Sequence, residues 1–266
     1  MTISKVVVGW NADAAGEAAL EWALERARLH PQPIALLRVV DDSVEHPGRD
    51  AAAELDERVN RVRRENPSLT VSARVVAGEI IARFMEVSDP TTLTVVGVNT
   101  RGAMTVPFEW TLAVLLAARS HGPVAVIPTE VEDDRQGILV GVDDSESALR
   151  AAELAVEEAL PSQAQVQLVH AWRPPHVWRG GQDTSALASP HEQLVADFAS
   201  ALHDRHPEIT LTNSAQKGVP VDVLLAATPA VVIVGRRNKT AFGRLFLGSV
   251  TRDLLYSLEV PVIVVP

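Results

Sequence analysis

Positions 231–250 read V-V-I-V-G-R-R-N-K-T-A-F-G-R-L-F-L-G-S-V, and three features follow one another in this stretch. An apolar run ends at Gly235, which is typical of a short strand covered on both faces. A basic loop follows, and Gly248 and Ser249 open a helical stretch. A phosphate group needs closely approaching backbone amides, a helix N-terminus and some positive charge. The stretch therefore predicts a strand, a loop and a helix that together bind phosphate.

The loop is basic in an acidic chain. Between Gly235 and Arg252 there are five basic residues and no acidic one, although the formal net charge of the chain is −10. We expect Gly235 to permit a sharp turn and Asn238 to enter the left-handed region readily. Gly248 leaves its amide open to a ligand, and Ser249 offers both an amide and a hydroxyl. These residues favour a nucleoside triphosphate as the ligand.

An earlier stretch repeats this frame without its phosphate-binding residues. Positions 93–112 read L-T-V-V-G-V-N-T-R-G-A-M-T-V-P-F-E-W-T-L. Gly97 precedes the segment P-V-A-V-I-P by 26 residues, and Gly235 precedes P-V-I-V-V-P by the same 26. Near the N-terminus, Gly9 and Gly141 lie in matching segments 132 residues apart. A repeat of this length is domain-sized, so the sequence predicts two tandem domains, 1–130 and 136–266, joined by a charged linker.

Each predicted domain alternates apolar strand candidates with amphipathic helical stretches. This alternation is typical of βαβ units, and it predicts an α/β fold of two doubly wound, Rossmann-like domains with five parallel strands each. Asp13 and Ser145 come just before equivalent helices and are predicted N-caps. The segment 173–190 is rich in proline and glycine and is predicted as a loop. The strand candidates are 4–9, 33–40, 70–76, 93–97 and 123–127, then 137–142, 165–172, 209–215, 230–235 and 261–265.

Composition limits the classes of function. There is no cysteine, so thiol chemistry and disulfides are excluded. The net charge of −10 argues against nucleic-acid binding, which depends on neutralising phosphates. The N-terminal segment lacks the long apolar region of a signal peptide, and no apolar stretch approaches the ~18 residues of a membrane span. We therefore expect a cytoplasmic protein without membrane contact, and the alanine-rich, lysine-poor composition suggests a bacterial source.

The first copy of the frame differs from the second at three points. Trp110 stands where the second copy has Gly248, and Glu109 stands where it has Leu247. Pro107 also removes an amide from the loop. A bulky ring, a negative charge and a missing donor all disfavour phosphate, so we expect no nucleotide in the first domain.

The second copy resembles the ATP-binding branch of the universal stress protein family, which is marked by G-x2-G-x9-G-S/T. Here the pattern is Gly235, two residues, Asn238 in place of the middle glycine, nine residues, and then Gly248-Ser249. The segments G-V-D-D-S from Gly141, L-V-H-A-W from Leu168 and K-G-V-P from Lys217 also resemble family segments. The resemblance extends over essentially the whole chain, including the tandem arrangement found in some members.

The resemblance implies ATP or another adenine nucleotide as ligand, with Mg²⁺ as an optional companion. Adenine and ribose would lie near Val142 and Asp143, with Ala171 a looser match. From the residues alone, Asp143 suits ribose hydroxyls, but capping of the next helix with Asp144 and Ser145 is an alternative. The implied binding residues are Val142, Asp143, Ala171, Gly235, Arg237, Asn238, Gly248, Ser249 and Val250.

The resemblance also implies a regulator or sensor rather than an enzyme, with an unidentified signalling partner. The two closing strands would pair within the chain as an intramolecular pseudo-dimer, with a further homodimer also open. No catalytic residue and no metal site are predicted, since the loop from Gly235 to Ser249 contains no acid. Two alternatives remain open from the sequence: an interaction module without nucleotide, and a slow ATP hydrolase or adenylating enzyme.

Overall fold

A computed structural model describes residues 2–41, 47–99, 108–131, 135–174, 185–237, 239–241 and 244–266. At 47–49, 108–111, 185–187, 239–241 and 244–246 only the backbone is described. We call 2–131 the first half and 135–266 the second half.

Strands and helices alternate through both halves. The first half contains β1 (Lys5–Gly9), α1 (Ala14–Leu29), β2 (Ile34–Val40), α2 (Pro47–Glu65), β3 (Val71–Ala77), α3 (Ile80–Val87), β4 (Thr92–Val98), α4 (Phe108–Arg119) and β5 (Val124–Pro128). The second half contains β6 (Ile138–Gly141), α5 (Glu146–Ala159), β7 (Val166–Trp172), α6 (Ser185–His203), β8 (Leu211–Lys217), α7 (Pro220–Leu225), β9 (Val231–Gly235), β10 (Lys239–Ala241), β11 (Arg244–Phe246), α8 (Ser249–Tyr256) and β12 (Val262–Val265).

Ten strands form one continuous sheet in the order β3-β2-β1-β4-β5-β12-β9-β6-β7-β8. Within each half every pairing of this sheet is parallel, which confirms the predicted α/β class and the five parallel strands of each half. The halves join where β5 and β12 pair antiparallel, with Val124, Ala125 and Val126 opposite Val264, Ile263 and Val262. We call this β5–β12 pairing the seam. The predicted pairing of the two closing strands is thus present.

Helices cover both faces of the sheet. α1, α2, α5 and α6 pack on one face, over alternate strand residues such as Val6, Val8 and Leu168. α3, α4, α7 and α8 pack on the other face, over the intervening residues such as Val7 and Val169. Strands buried on both faces explain the nearly continuous apolar runs in the sequence.

The predicted caps are present. The side chain of Asp13 accepts a hydrogen bond from Gly16 N at 2.7 Å, and Ser145 accepts one from Ala148 N at 3.2 Å. These bonds occupy amides that the first turns of α1 and α5 would otherwise leave free.

Two local predictions are wrong. The segment 173–190 is not a loop to its end, because α6 begins at Ser185 and contains Pro190. The basic loop is also not irregular throughout, because β10 and β11 form a short antiparallel hairpin.

Candidate functional site

A cleft of about 210 Å³ opens at the carboxyl ends of the strands of the second half. Open α/β sheets bind ligands at this edge, where loops leave the strands. The cleft lies between β6, β7 and β9, with α7 and α8 forming its further walls. Its lining residues are Gly141, Val142, Asp143, Ala148, Val169, His170, Ala171, Pro220, Leu224, Val234, Gly235, Arg237, Gly248, Ser249, Val250 and Thr251.

One wall of the cleft is apolar. Val142 follows β6 directly and is buried, and its amide donates to Val169 O at 3.0 Å, which continues the parallel ladder for one residue. Ala171 on β7, with Pro220 and Leu224 on α7, completes this wall. A small residue at Ala171 leaves room between β7 and α7. The wall therefore suits a flat apolar group such as a nucleobase.

The opposite wall carries the exposed amides of α8. The N-cap of α8 is Gly248, which provides no side-chain hydrogen bond. The first helical hydrogen bond is donated by Arg252 N to Gly248 O at 3.0 Å, so the amides of Ser249, Val250 and Thr251 have no partner within the helix. In α1 and α5 a side chain caps the corresponding turn. The start of α8 thus offers free donors and the positive end of a helix dipole to the cleft.

Gly248 has a steric reason to be glycine. A Cβ at this position would lie 3.2 Å from Arg237 Cβ and 3.4 Å from Arg237 O. The start of α8 therefore packs directly on the backbone of the loop after β9. This contact places the Arg237 side chain beside the free amides of α8.

The guanidinium group of Arg237 lies between two carboxylates. Its Nη2 donates to Asp144 Oδ1 at 3.0 Å, and its Nη1 lies 3.5 Å from Asp143 Oδ2. Asp143 Oδ1 in turn accepts hydrogen bonds from the amide of Ser145, at 3.0 Å, and from its hydroxyl. Asp143 therefore supports the start of α5 with one oxygen, as the capping alternative predicts, and its other oxygen lies beside Arg237 at the cleft.

Gly235 also lines the cleft. The predicted sharp turn is not the reason for a glycine at this position. Its backbone lacks a positive φ, and a Cβ would lie 2.5 Å from Ser147 C and 2.6 Å from Ala148 N. The glycine lets α5 approach the end of β9. Thr251 Oγ1 donates to Gly235 O at 3.4 Å and links the same strand end to α8.

Arg236 points away from the cleft. Its Nη1 donates to the carbonyl oxygens of Ser120, Ala118 and Ala117 at 2.6, 3.2 and 3.4 Å, at the C-terminal end of α4 in the first half. Burial, with a smaller contribution from the charge of Arg150, lowers the pKa of Arg236. This cation therefore holds the two halves together and is unavailable to a ligand.

His170, which lines the cleft, forms a pair with His191. His170 Nδ1 is 2.8 Å from Val142 O, so this nitrogen carries the proton and donates it. His170 Nε2 lies 3.0 Å from His191 Nδ1, and the ring centroids are 5.1 Å apart, which makes an in-plane hydrogen bond between the rings. His191 also stacks on Trp172. Burial, and then the proximity of His170, lower the pKa of His191.

The cleft brings together the residues predicted for it. Of the nine, eight are among its lining residues: Val142, Asp143, Ala171, Gly235, Arg237, Gly248, Ser249 and Val250. Asn238 lies outside the described residues. The sequence did not indicate that Leu224 lines the cleft. It also did not indicate that Asp144 is a partner of Arg237. The position of Asp144 beside Asp143 was visible, but a contact across 93 residues leaves no local pattern.

The first half has a cleft at the equivalent place, with a volume of about 200 Å³. Its lining includes Trp10 where the second half has Val142, and Asn11 where it has Asp143. Phe84 also lines it, and among the described residues its lining contains no lysine or arginine. Trp10 Nε1 donates to Glu17 Oε1 at 2.9 Å, which fixes the ring. The side chains of Glu109 and Trp110, and all of Pro107, lie outside the described residues.

The fold and the cleft define a class: a doubly wound α/β protein in which a helix start without a side-chain cap lies beside an apolar pocket. Residues 135–266 match the model of the Universal stress protein family. The whole chain is 26% identical to Universal stress protein Rv1996 of Mycobacterium tuberculosis, with 97% of this chain and 94% of the relative covered. It is also 26% identical to Universal stress protein Rv2005c of the same organism, with 97% and 96% covered. These similarities extend over nearly the whole chain, including the first half.

A solved structure has the same architecture. The chain superposes on a universal stress protein from Archaeoglobus fulgidus with a TM-score of 0.73 and 16% identity, covering 100% of this chain and 99% of the other. At this identity the similarity concerns the fold. Each helix in the described ranges is too short or too polar to cross a membrane. Within the same ranges, histidines and carboxylates do not gather in a group of three that could hold a metal ion.

Proposed function

We propose that this protein binds one adenine nucleotide, ATP, in the cleft of the second half and acts as a nucleotide-dependent stress regulator or sensor. The observation that carries the proposal is the uncapped start of α8, which faces Arg237 across one end of the cleft while Val142 and Ala171 form the apolar end. Free amides and a cation suit phosphates, and the apolar wall suits adenine.

Each group has a separate task in this proposal. Adenine lies against Val142 and Ala171, and Asp143 accepts hydrogen bonds from ribose hydroxyls. The amides of Ser249 and Val250 donate to phosphate oxygens, and the Arg237 guanidinium balances their charge. Because Arg237 contacts Asp144 in the free protein, ATP displaces that contact when it binds. The phosphates also offer oxygen ligands to Mg²⁺, which this proposal treats as optional.

The domain organisation belongs to the same proposal. Residues 1–130 and 136–266 are two domains of one type, and the seam pairs them about a two-fold axis within one chain. The first domain serves as a structural and interaction partner for an unidentified signalling protein. We place the protein in the bacterial cytoplasm, where ATP is available.

Calorimetric titration with ATP, with and without Mg²⁺, tests the proposal. We expect about one ATP per chain, and two equivalent sites would contradict the assignment to the second half. Two matched variants identify the cleft: Ala171→Trp fills that of the second half, and Val39→Trp fills the equivalent position of the first. ATP binding should be lost in Ala171→Trp and retained in Val39→Trp. The opposite pattern would move the site to the first half.

One observation bears on the alternative of an interaction module without nucleotide. Arg237 is engaged by Asp143 and Asp144 in the free protein, so the cation already has charge partners. If ATP, ADP and AMP all fail to raise the melting temperature, this alternative replaces the proposal, since any ligand of the native state stabilises it by mass action.

A further inference from the structure

The halves meet at an ion pair whose partners occupy the same position of the repeat. Arg26 on α1 and Glu158 on α5 are 132 residues apart, which is also the offset between Gly9 and Gly141. Arg26 Nη2 donates to Glu158 Oε1 at 2.6 Å, and Arg26 Nε donates to Glu158 Oε2 at 2.9 Å. The two hydrogen bonds make the pair bidentate, which is the strongest arrangement of an arginine and a carboxylate.

Equivalent residues of two repeats contact each other where a two-fold axis passes between them. The seam has the same property, because Ala125 faces Ile263, and their offset of 138 is the one that relates Gly97 to Gly235. The ion pair and the seam therefore lie on one pseudo-two-fold axis. At such an axis, any residue of one half faces its own counterpart in the other half.

The ion pair is buried. The side chains of Arg26 and Glu158 are 6% and 10% exposed. Arg26 Nη1 also donates to Gln32 Oε1 at 2.7 Å, and His30 Nε2 lies 3.5 Å from Glu158 Oε2. A charge buried to this degree is strongly destabilising when its partner is removed, and more so when a like charge replaces it.

We propose that this pair makes the surface between the halves selective for unlike halves. The inference rests on the proposed two-fold pairing of the two domains and is independent of nucleotide binding. Two second halves, paired in the same way, would bring two Glu158 carboxylates together at the axis. Two first halves would bring two Arg26 guanidinium groups together. The surface of each half therefore fits the other half and rejects a second copy of itself.

Selective pairing has a consequence for the proposed site. The half with the intact phosphate-binding frame is always paired with the half that lacks it. Each two-fold unit then contains one such frame, instead of the two that a pairing of identical halves would contain.

Single charge reversals mimic the rejected pairings within the intact chain. Arg26→Glu gives the axis the two carboxylates of a second–second pairing, and Glu158→Arg gives it the two guanidinium groups of a first–first pairing. The double variant, with both substitutions, restores a complementary pair in which the two charges have exchanged places. Urea unfolding followed by tryptophan fluorescence gives the folding equilibrium constant of each chain, and light scattering gives its mass. We expect each single variant to lose at least about 100-fold in that constant, and the double variant to recover to within about 10-fold of the parent.

Arg28→Glu is the matched control, because Arg28 lies on the same helix and pairs with Glu25 at 2.6 Å with both side chains more than two-thirds exposed. It should change the constant by less than about 5-fold. A single variant as stable as the parent, or a double variant as unstable as the two single losses combined, would overturn the proposal. If a single variant fails to fold, the double decides: a folded, monomeric double variant supports the selectivity, and an unfolded one refutes it.

Discussion

Arg236 and Arg237 are neighbours with the same charge, but their guanidinium groups serve different parts of the molecule. Arg236 binds carbonyl oxygens at the end of α4 in the first half, and Arg237 faces the cleft and its two carboxylates. In extended backbone, successive side chains point to opposite sides. The sequence shows two arginines after a strand, and the family resemblance selected Arg237, but the pattern of residues alone does not show which of the two reaches the cleft.

Arg237→Ala should weaken ATP more than AMP. The guanidinium group lies beside the free amides of α8, where the outer phosphates are proposed to bind. Loss of a charge-assisted contact should cost roughly 1–3 kcal/mol for ATP, and less for AMP. Calorimetry with both nucleotides measures the difference. Arg252→Ala is the control, since Arg252 pairs with Asp253 and is not among the residues that line the cleft. Equal losses for ATP and AMP would mean that Arg237 supports the loop or the adenine.

Asp144→Asn should strengthen ATP binding. Asp144 holds Arg237 at 3.0 Å in the free protein and adds negative charge near the proposed phosphates. The contact is exposed, and such pairs contribute about 0.2–1 kcal/mol, so the expected gain in affinity is roughly 2–5-fold.

The same substitution in the Arg237→Ala background tests the cause. If Asp144 competes with phosphate for Arg237, most of the gain should disappear when the arginine is absent. An undiminished gain in that background would show that Asp144 acts through general repulsion of the ligand.

At the scale of elements, the sequence predicted the sheet well and the hairpin poorly. Each of the ten sheet strands lies within two residues of its predicted range, because strands buried on both faces require an uninterrupted apolar run. β10 and β11 have three residues each, which is too short for a periodic signal. The start of α6 was missed because Pro190 reads as a helix breaker, yet the helix begins at Ser185 and runs through this proline.

α4 in the first half ends on a cation from the second half. Its last carbonyl oxygens accept from Arg236 Nη1, so the helix end has a charged cap that no residue of its own half provides. A cation at a helix C-terminus is stabilised by the dipole as well as by the hydrogen bonds. The cap therefore couples the stability of α4 to the position of the loop after β9.

Arg236→Met should destabilise the protein and leave ATP affinity nearly unchanged. The apolar stem is kept while the hydrogen bonds to Ser120, Ala118 and Ala117 are lost. Arg236 Nε is buried without a partner, and this partly offsets the loss, so we expect about 1–2 kcal/mol from urea unfolding. Arg237→Ala should give the reverse result, with lower ATP affinity and little change in stability. If both variants have the same profile, the division of tasks between the two arginines is wrong.

At the scale of the whole molecule, ATP turnover should be very slow or absent. Among the cleft-lining residues in the part of the chain that the structure describes, Asp143 is the one carboxylate, and it is engaged with Ser145 and Arg237. Both ring nitrogens of His170 are also occupied, by Val142 O and by His191. Dedicated catalysis needs a group free to accept a proton. Phosphate release at about 1 s⁻¹ or faster would require a catalytic group elsewhere and would contradict the sensor proposal.

The seam has a consequence for synthesis of the chain on the ribosome. Val126 pairs with Val262, so the edge of β5 stays uncovered until a further 136 residues have been translated. At about 5–20 residues per second, this delay is roughly 7–30 s. An uncovered apolar edge can add strands from other nascent chains, and prolines such as Pro128 at the end of β5 restrict this addition. The number of residues between the two seam strands thus sets how long each new molecule is exposed to aggregation before it closes.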